Sequence, residues 1–398
     1  MRPLLVRLAV VAGALLFVDL LVGVLFVEDG AFRGRPLPPF RAINNARQRA
    51  WVERADQATS VGRFDRELGW SYRPGSVSAD GRESFNSLGA RGRREYAPAP
   101  PDGVTRVVSV GDSFTFGEQI SDSETYQALL ERRHRSLEVL NFGVGGYGTD
   151  QALLRFRRVA PGLGGEVAVL GILLENIGRN VNRYRPLWHP NSGATGAKPR
   201  FVLTGDVLTG DALAGDALEL VPLPYATRAE LLASVLDGSV LEQLAEREHW
   251  LHRPRLGLAA HSNLARIAAG YLAYSARTPR RLWLDAEGEP YRLTLALIQA
   301  FADEARELGF ARSLVLIFPQ RSDVAGLIER EDRYWAGFTD ELERRGIEHI
   351  DLVGPLAARH LECEADPSQG TVWYGSHLSS VGNAVVADLV WDWLEQPR

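Results

Sequence analysis

The stretch Arg106-Val-Val-Ser-Val-Gly-Asp-Ser-Phe-Thr-Phe-Gly-Glu118 limits the possible folds more than any other part of the chain. Val107, Val108 and Val110 make a β-branched run, the pattern of a strand buried in a parallel sheet. The run stops at Gly111-Asp112-Ser113, where a glycine lets the backbone turn sharply just as a hydroxyl appears. Helical sequence follows, with Tyr126, Ala128, Leu129 and Leu130 behind Ser123. A serine at the carboxyl end of such a strand stands where open α/β sheets place their active sites. An ordinary β–α turn, with Asp112 and Ser113 only capping backbone amides, satisfies the same three residues.

The unit recurs. Leu137–Asn141 reads as a second strand, residues 142–148 as a glycine-dense turn, and Thr149 to Arg158 as a helix. Val167 to Leu174 is a third apolar strand, and it ends at Glu175-Asn176. After an interruption the rhythm resumes with a helix from Tyr291 to Leu308 and a strand over 311–319. A helix from Arg330 to Arg345, a strand over 346–351, and a helix capped by Ser379 or Ser380 and running to Leu394 complete it. Alternating strands and helices predict an α/β fold on a parallel sheet. The interruption, at about 185–290, holds a short Gly-Asp repeat over 201–218 that suggests hairpins. Helical sequence then runs from Arg228 to Tyr274, and the block reads as an inserted lid or wall of a substrate site.

Ahead of the first strand, residues 1–30 carry a signal anchor and residues 31–103 a stalk and N-terminal extension, leaving 104–398 as the main domain. Leu4 to Val27 is almost wholly apolar and as a helix reaches about 35 Å, enough to cross a bilayer. Arg2 and Arg7 at its start place the N-terminus inside and the remainder outside. The rival is a cleaved signal peptide, but Ala12-Gly13-Ala14 lies within the apolar run rather than after it. Asp19 interrupts the span, where an ionisable group either meets a partner or is tolerated in its neutral form. Pro36, Pro38 and Pro39 mark the stalk, with a short helix expected around Ala46–Ala55. Residues 68–92 read as extended segments and turns laid against the main domain.

Composition excludes some functions. A net charge of -5 and a pI near 6.0 give no electrostatic case for nucleic acid. Cys363 is the sole cysteine, so neither an intramolecular disulfide nor a cysteine-based metal cluster can form. No cofactor or metal is expected.

The blocks at Gly111-Asp112-Ser113, Asn141–Gly146, Asn176 and His377-Leu378, with Gly382 beyond, occur in the order found in SGNH hydrolases, also called GDSL-type esterases. The chain resembles that family, particularly its membrane-anchored bacterial members, over roughly residues 66–395. The resemblance implies a flavodoxin-like three-layer fold, with Ser113 as nucleophile and His377 as its base. It also implies oxyanion donors from Ser113, Gly146 and Asn176. Ester cleavage through an acyl-enzyme needs those residue types: a hydroxyl with a base in reach, and donors aimed at the developing oxyanion. Taken singly, Gly146 also suits a tight turn and Asn176 a helix cap. His189, His249, His252 and His261 are scattered and read as surface or packing.

Two positions depart from the family. Ile177 replaces the aspartate that usually follows the asparagine, and Tyr374 and Gly375 occupy the places of the triad acid. The options are a Ser113–His377 dyad, a relocated acid such as Glu364 or Asp366, or loss of catalysis. The resulting expectation is a serine esterase anchored in a membrane by one span, with its domain outside the cytoplasm. Its substrate would be an acylated small molecule or glycan, such as an O-acetyl group. The alternatives are an O-acyltransferase on envelope or exopolysaccharide glycans and a non-catalytic carbohydrate-binding relic of the fold.

Overall fold

The valine-rich runs pair with one another as parallel strands. The computed structural model describes residues 2–28, 30–33, 35–38, 61–189, 196–204, 217–251 and 255–396. The helix expected at Ala46–Ala55, His252, and residues 205–216 of the Gly-Asp repeat lie outside them. The strands β1 (Thr105–Val110), β2 (Leu137–Asn141), β3 (Val167–Leu173), β4 (Arg312–Phe318) and β5 (His349–Asp351) form one sheet. Its order is β2-β1-β3-β4-β5, parallel throughout. Among the helices are α1 (Arg2–Phe26), α2 (Tyr126–Arg133), α3 (Thr149–Val159), α4 (Asn263–Ser275), α5 (Glu289–Glu307), α6 (Val353–Ala365) and α7 (Ser380–Leu394).

This order is the flavodoxin-like one, and it makes a topological switch between β1 and β3. The chain leaves β1 toward β2 in one direction and returns past β1 to β3 in the other. Right-handed crossovers therefore place the two connecting helices on opposite faces. Accordingly α2 packs with α7, which also meets α6, while α3 packs with α5. Every residue of β2 and β3 is buried, as expected for strands covered on both sides.

Two compact units make up the chain. One holds residues 59–180, 199–222 and 279–398, and contains the sheet. The other holds residues 1–58, 181–198 and 223–278. In the second unit Glu248 is a buried carboxylate that accepts backbone N–H groups of Arg183, Tyr184 and Trp250, so it organises two separate segments. Helix α1 is long and apolar enough to cross a membrane, with a mean hydropathy of 2.7 over an 18-residue window within Pro3–Phe26. A signal sequence has the same length and composition.

Some expectations need correcting. The helix expected over Arg330–Arg345 is shorter, Ala336–Arg344, and an unexpected one precedes it, Arg321–Arg330, which Glu331 ends by turning left-handed (φ 54°). Likewise the helical pattern from Arg228 to Tyr274 divides into Arg228–Asp237, Val240–Leu244 and α4, with Gly238 at φ 83° closing the first. In the Gly-Asp region the strands Arg200–Thr204 and Ala217–Val221 pair antiparallel.

Glycines let the strand ends of the sheet unit approach one another. The turn Ser113–Phe116 lies so close that a Cβ on Gly111 or Gly171 would overlap Thr115 Oγ1, and one on Gly143 would overlap the Phe116 backbone. Gly143→Ala should therefore cost about 1–3 kcal/mol, the usual size of an overpacking penalty. The midpoint of urea denaturation measures it.

Candidate active site

Ser113 begins a single buried helical turn directly after β1. Asp112 caps that turn, its carboxylate accepting the Phe114 N–H at 2.9 Å. The imidazole of His377 reaches Ser113 from the far end of the sequence, with Nε2 2.9 Å from Oγ. His377 is carried there by a two-residue pairing, Trp373–Tyr374 with His377–Leu378, and by Ser379, which caps α7 behind it. The Phe114 ring lies against the imidazole at 5.1 Å between centroids. A tautomer that accepts from Ser113 at Nε2 holds its proton at Nδ1. There the neighbour is Ser376 Oγ, at 3.1 Å.

No described carboxylate is found at Nδ1. Glu364 instead lies 3.5 Å from His360, and Asp366 caps the turn Pro367–Gln369 by accepting from Ser368 and Gln369. The carboxylate beside the imidazole is Glu118, 3.7 Å away, and it is on the Nε2 side. It shares Ser113's nitrogen and so does not orient the ring from behind.

Asn176 starts the short helix after β3 and is 1% exposed. It lies beside Asp112, yet neither its amide nitrogen nor its oxygen closes a hydrogen bond of ordinary geometry. An unsatisfied buried amide at a strand end is costly and calls for an explanation. Burial pushes the Asp112 carboxyl up, against the opposing pull of Arg179, the Phe114 N–H, Asn176 and His377. Arg179 Nη1 lies 3.6 Å from Asp112, and the same guanidinium pairs with Glu175 at 2.9 Å. These interactions hold the turn around Ser113 among buried charges.

Gly146 lies in the loop after β2 at φ 80°, a conformation that favours glycine. The loop is fixed from both sides. The Val144 N–H donates to Gly111 O at 3.0 Å, tying it to the turn that carries Ser113. From the other side, Trp70 Nε1 donates to Gly145 O at 2.9 Å, and the Gly145 N–H donates to Tyr72 Oη at 3.3 Å. Both aromatics come from the hairpin Gly62–Asp65/Gly69–Tyr72, whose turn residue Leu68 packs with Val144 and Tyr147.

The sequence had given no role to Trp70, Tyr72, Arg91, Glu118 or Arg179. Arg91 is buried, donates to the carbonyls of Phe116, Gly117 and Ile120, and pairs with Asp122 at 2.9 Å. One arginine of the run Arg91-Gly-Arg-Arg94 gives no hint of such a role. Tryptophan and tyrosine two residues apart do suggest one face of a strand.

No protein-family model matches the chain, and no curated protein matches it. Solved structures do. A member of the lipolytic protein G-D-S-L family from Veillonella parvula DSM 2008 is 10% identical, covering 73% of this chain and 97% of that one at a TM-score of 0.30. A catalytic mutant of an acetylxylan esterase from Geobacillus stearothermophilus is 11% identical, covering 74% and 99% at a TM-score of 0.36. The chain is similar to these proteins in fold.

The hairpin that braces the glycine loop is itself held by an ion pair. Asp65 pairs with Arg158 of α3 at 2.6 Å and accepts the Leu68 N–H. Burial works against the Asp65 carboxylate, but Arg158 and the N–H groups of Leu68 and Glu67 outweigh it, lowering its pKa from 3.8 to about 2. The fold thus prefers the ionised form, so this stabilisation is complete above about pH 4 and is lost as the pH falls through about 2. Asp65→Asn should be less stable than the wild type at pH 7, by a margin that shrinks across that window. Urea denaturation at a series of pH values measures it; a margin independent of pH would place the effect in packing instead.

Proposed function

We propose that the protein is a serine esterase that cleaves acyl esters through a covalent acyl-enzyme. The observation that carries this reading is the 2.9 Å approach of His377 Nε2 to Ser113 Oγ across 264 residues of sequence. Ser113 Oγ attacks the ester carbonyl while His377 Nε2 takes its proton. The carbonyl oxygen becomes an oxyanion, and the Asn176 amide and the Gly146 N–H are its proposed donors. The unpartnered Asn176 amide supports this role, since an oxyanion would supply the missing acceptor. His377 then returns the proton to the leaving alkoxide, releasing the alcohol. Water completes the cycle in a hydrolase, or a sugar hydroxyl does so in an O-acyltransferase. Both share every step up to the acyl-enzyme. An acylated glycan outside the cytoplasm fits α1 as a retained single span, with Arg2 and Arg7 on the inner side.

The polar contact at Nδ1 favours one competing reading, a non-catalytic relic, because Ser376 is exposed and carries no charge. A serine-reactive fluorophosphonate separates the two. The wild type should become labelled and should hydrolyse short-chain aryl acetates, and Ser113→Ala should do neither. Asn176→Ala should lower turnover by about 10²–10³, the size of one oxyanion donor. Equal behaviour of wild type and Ser113→Ala would remove the enzyme reading.

The dyad generates its own expectation. A carboxylate behind the imidazole fixes its tautomer and stabilises the imidazolium. Tyr374 stands directly opposite His377 in the two-strand pairing, so its side chain shares a face with the imidazole. Gly375 sits at φ 62°, where an aspartate would be strained. Tyr374→Asp is therefore expected to raise turnover on an aryl acetate by at least about tenfold, near 1.4 kcal/mol of barrier. Ser376→Ala should lower it. If Tyr374→Asp left turnover unchanged in folded protein, the base would not be limited by a missing acid.

A further inference from the structure

We infer that helix α4 lies in the membrane beside α1, its apolar face in the outer-leaflet acyl chains. This rests on the reading of α1 as a span. From Pro3 to Phe26 nearly every residue of α1 is exposed; the partly covered ones are Asp19, Val22 and Gly23. They are spaced i, i+3, i+4 and so form one stripe. That stripe meets the start of α4. The Asp19 carboxylate accepts from Ser262 Oγ at 2.7 Å, from the Leu264 N–H at 2.8 Å and from the Asn263 N–H at 3.1 Å. Gly23 leaves room for the Asn263 side chain, which a Cβ there would overlap. An acidic group in a span and the first N–H groups of a helix thus satisfy each other, with the helix dipole adding to the attraction.

Depth follows from geometry. Asp19 is seven residues from Phe26, about 10 Å along the helix axis. The start of α4 therefore lies about that far below the outer end of α1. Interfacial helices bury their apolar faces about 5–10 Å into the acyl boundary, so the two depths agree.

The composition of α4 suits that position. Its single charged residue, Arg266, is turned toward the chain and donates to Pro38 O at 2.6 Å. Gly270, one turn further on, faces Leu37 and Pro38. The opposite stripe, Leu264, Ala268, Tyr271 and Leu272, is exposed at i, i+4, i+7, i+8, and none of α4 is buried. Tyr271 is 72% and Leu272 66% exposed, and Leu258 in the preceding turn is 90% exposed. A charge-free apolar stripe continuous with a span commits to one occupant, the lipid acyl chains.

The test is spin-label accessibility in full-length protein reconstituted into phosphatidylcholine vesicles. Labels are attached singly at Leu16→Cys, Leu272→Cys and Glu329→Cys; the buried Cys363 stays in place, and the wild type controls for its reaction. Oxygen partitions into acyl chains and a nickel chelate stays in water. Labels at 16 and 272 are expected to favour oxygen, and the label at 329 nickel. Lipid at 16 with water at 272 would overturn the inference and leave the anchor standing; water at 16 would overturn both. A second variant tests the pairing. Asp19→Leu in the Leu272→Cys protein should lose oxygen preference at 272, while Asp19→Asn, which keeps an acceptor, should retain it. An unchanged label in Asp19→Leu would refute the role given to Asp19.

Discussion

The sheet unit depends on how closely the Ser113–Phe116 turn can approach the strand ends beside it. Thr115 and Phe116 fill space that a side chain on Gly111, Gly143 or Gly171 would otherwise occupy. These glycines end β1, follow β2 and lie within β3, so all three strands of the switch region contribute one. With a Cβ at any of them the turn would have to move outward. Ser113 would then leave the reach of His377, which is fixed independently by α7 and its cap. Close packing of this kind is stiff, because interiors leave few voids into which a displaced turn could relax.

Buried charge is the second constraint on the same turn. Asp112, Arg179 and Glu175 lie within one cluster, and Arg91 spends its donors on three backbone carbonyls just beyond Ser113. Desolvating such groups is expensive, so they add little net stability compared with apolar packing. Their effect is directional. A guanidinium that satisfies several fixed carbonyls holds the loop in one conformation, and removing it would strand those carbonyls without donors. The Trp70 and Tyr72 contacts to Gly145 fix the facing loop in the same way.

The contact at Nδ1 of His377 separates electrostatics from packing. Ser113 and His377 are brought together with no described carboxylate at Nδ1, so packing suffices to make them meet. What a carboxylate would add is electrostatic, a fixed tautomer and a stabilised imidazolium. Glu118 cannot supply the first of these, since it approaches Nε2, the nitrogen that faces Ser113. In the other unit, by contrast, an acid that looked out of place has a full set of partners: Asp19 accepts from Ser262, Asn263 and Leu264.

The sequence by itself determined the five-strand rhythm, because β-branched runs ending in small residues have few other uses. It singled out Ser113 as a candidate as well, since a hydroxyl just beyond a strand end is a local feature. It also set the length and apolarity of α1. Helix boundaries were less legible: Glu331 adopts a left-handed conformation that no local pattern announced, so one helix ends at Arg330 and the expected one starts only at Ala336. Tertiary structure alone decided which residues meet across long separations. Tyr72 reaches Gly145, Asp65 reaches Arg158, and Asp19 reaches Ser262, and each pair is set by how separate elements dock. Such pairings leave no periodic trace, because a side chain's partner depends on the chain's path in space rather than on its neighbours in sequence.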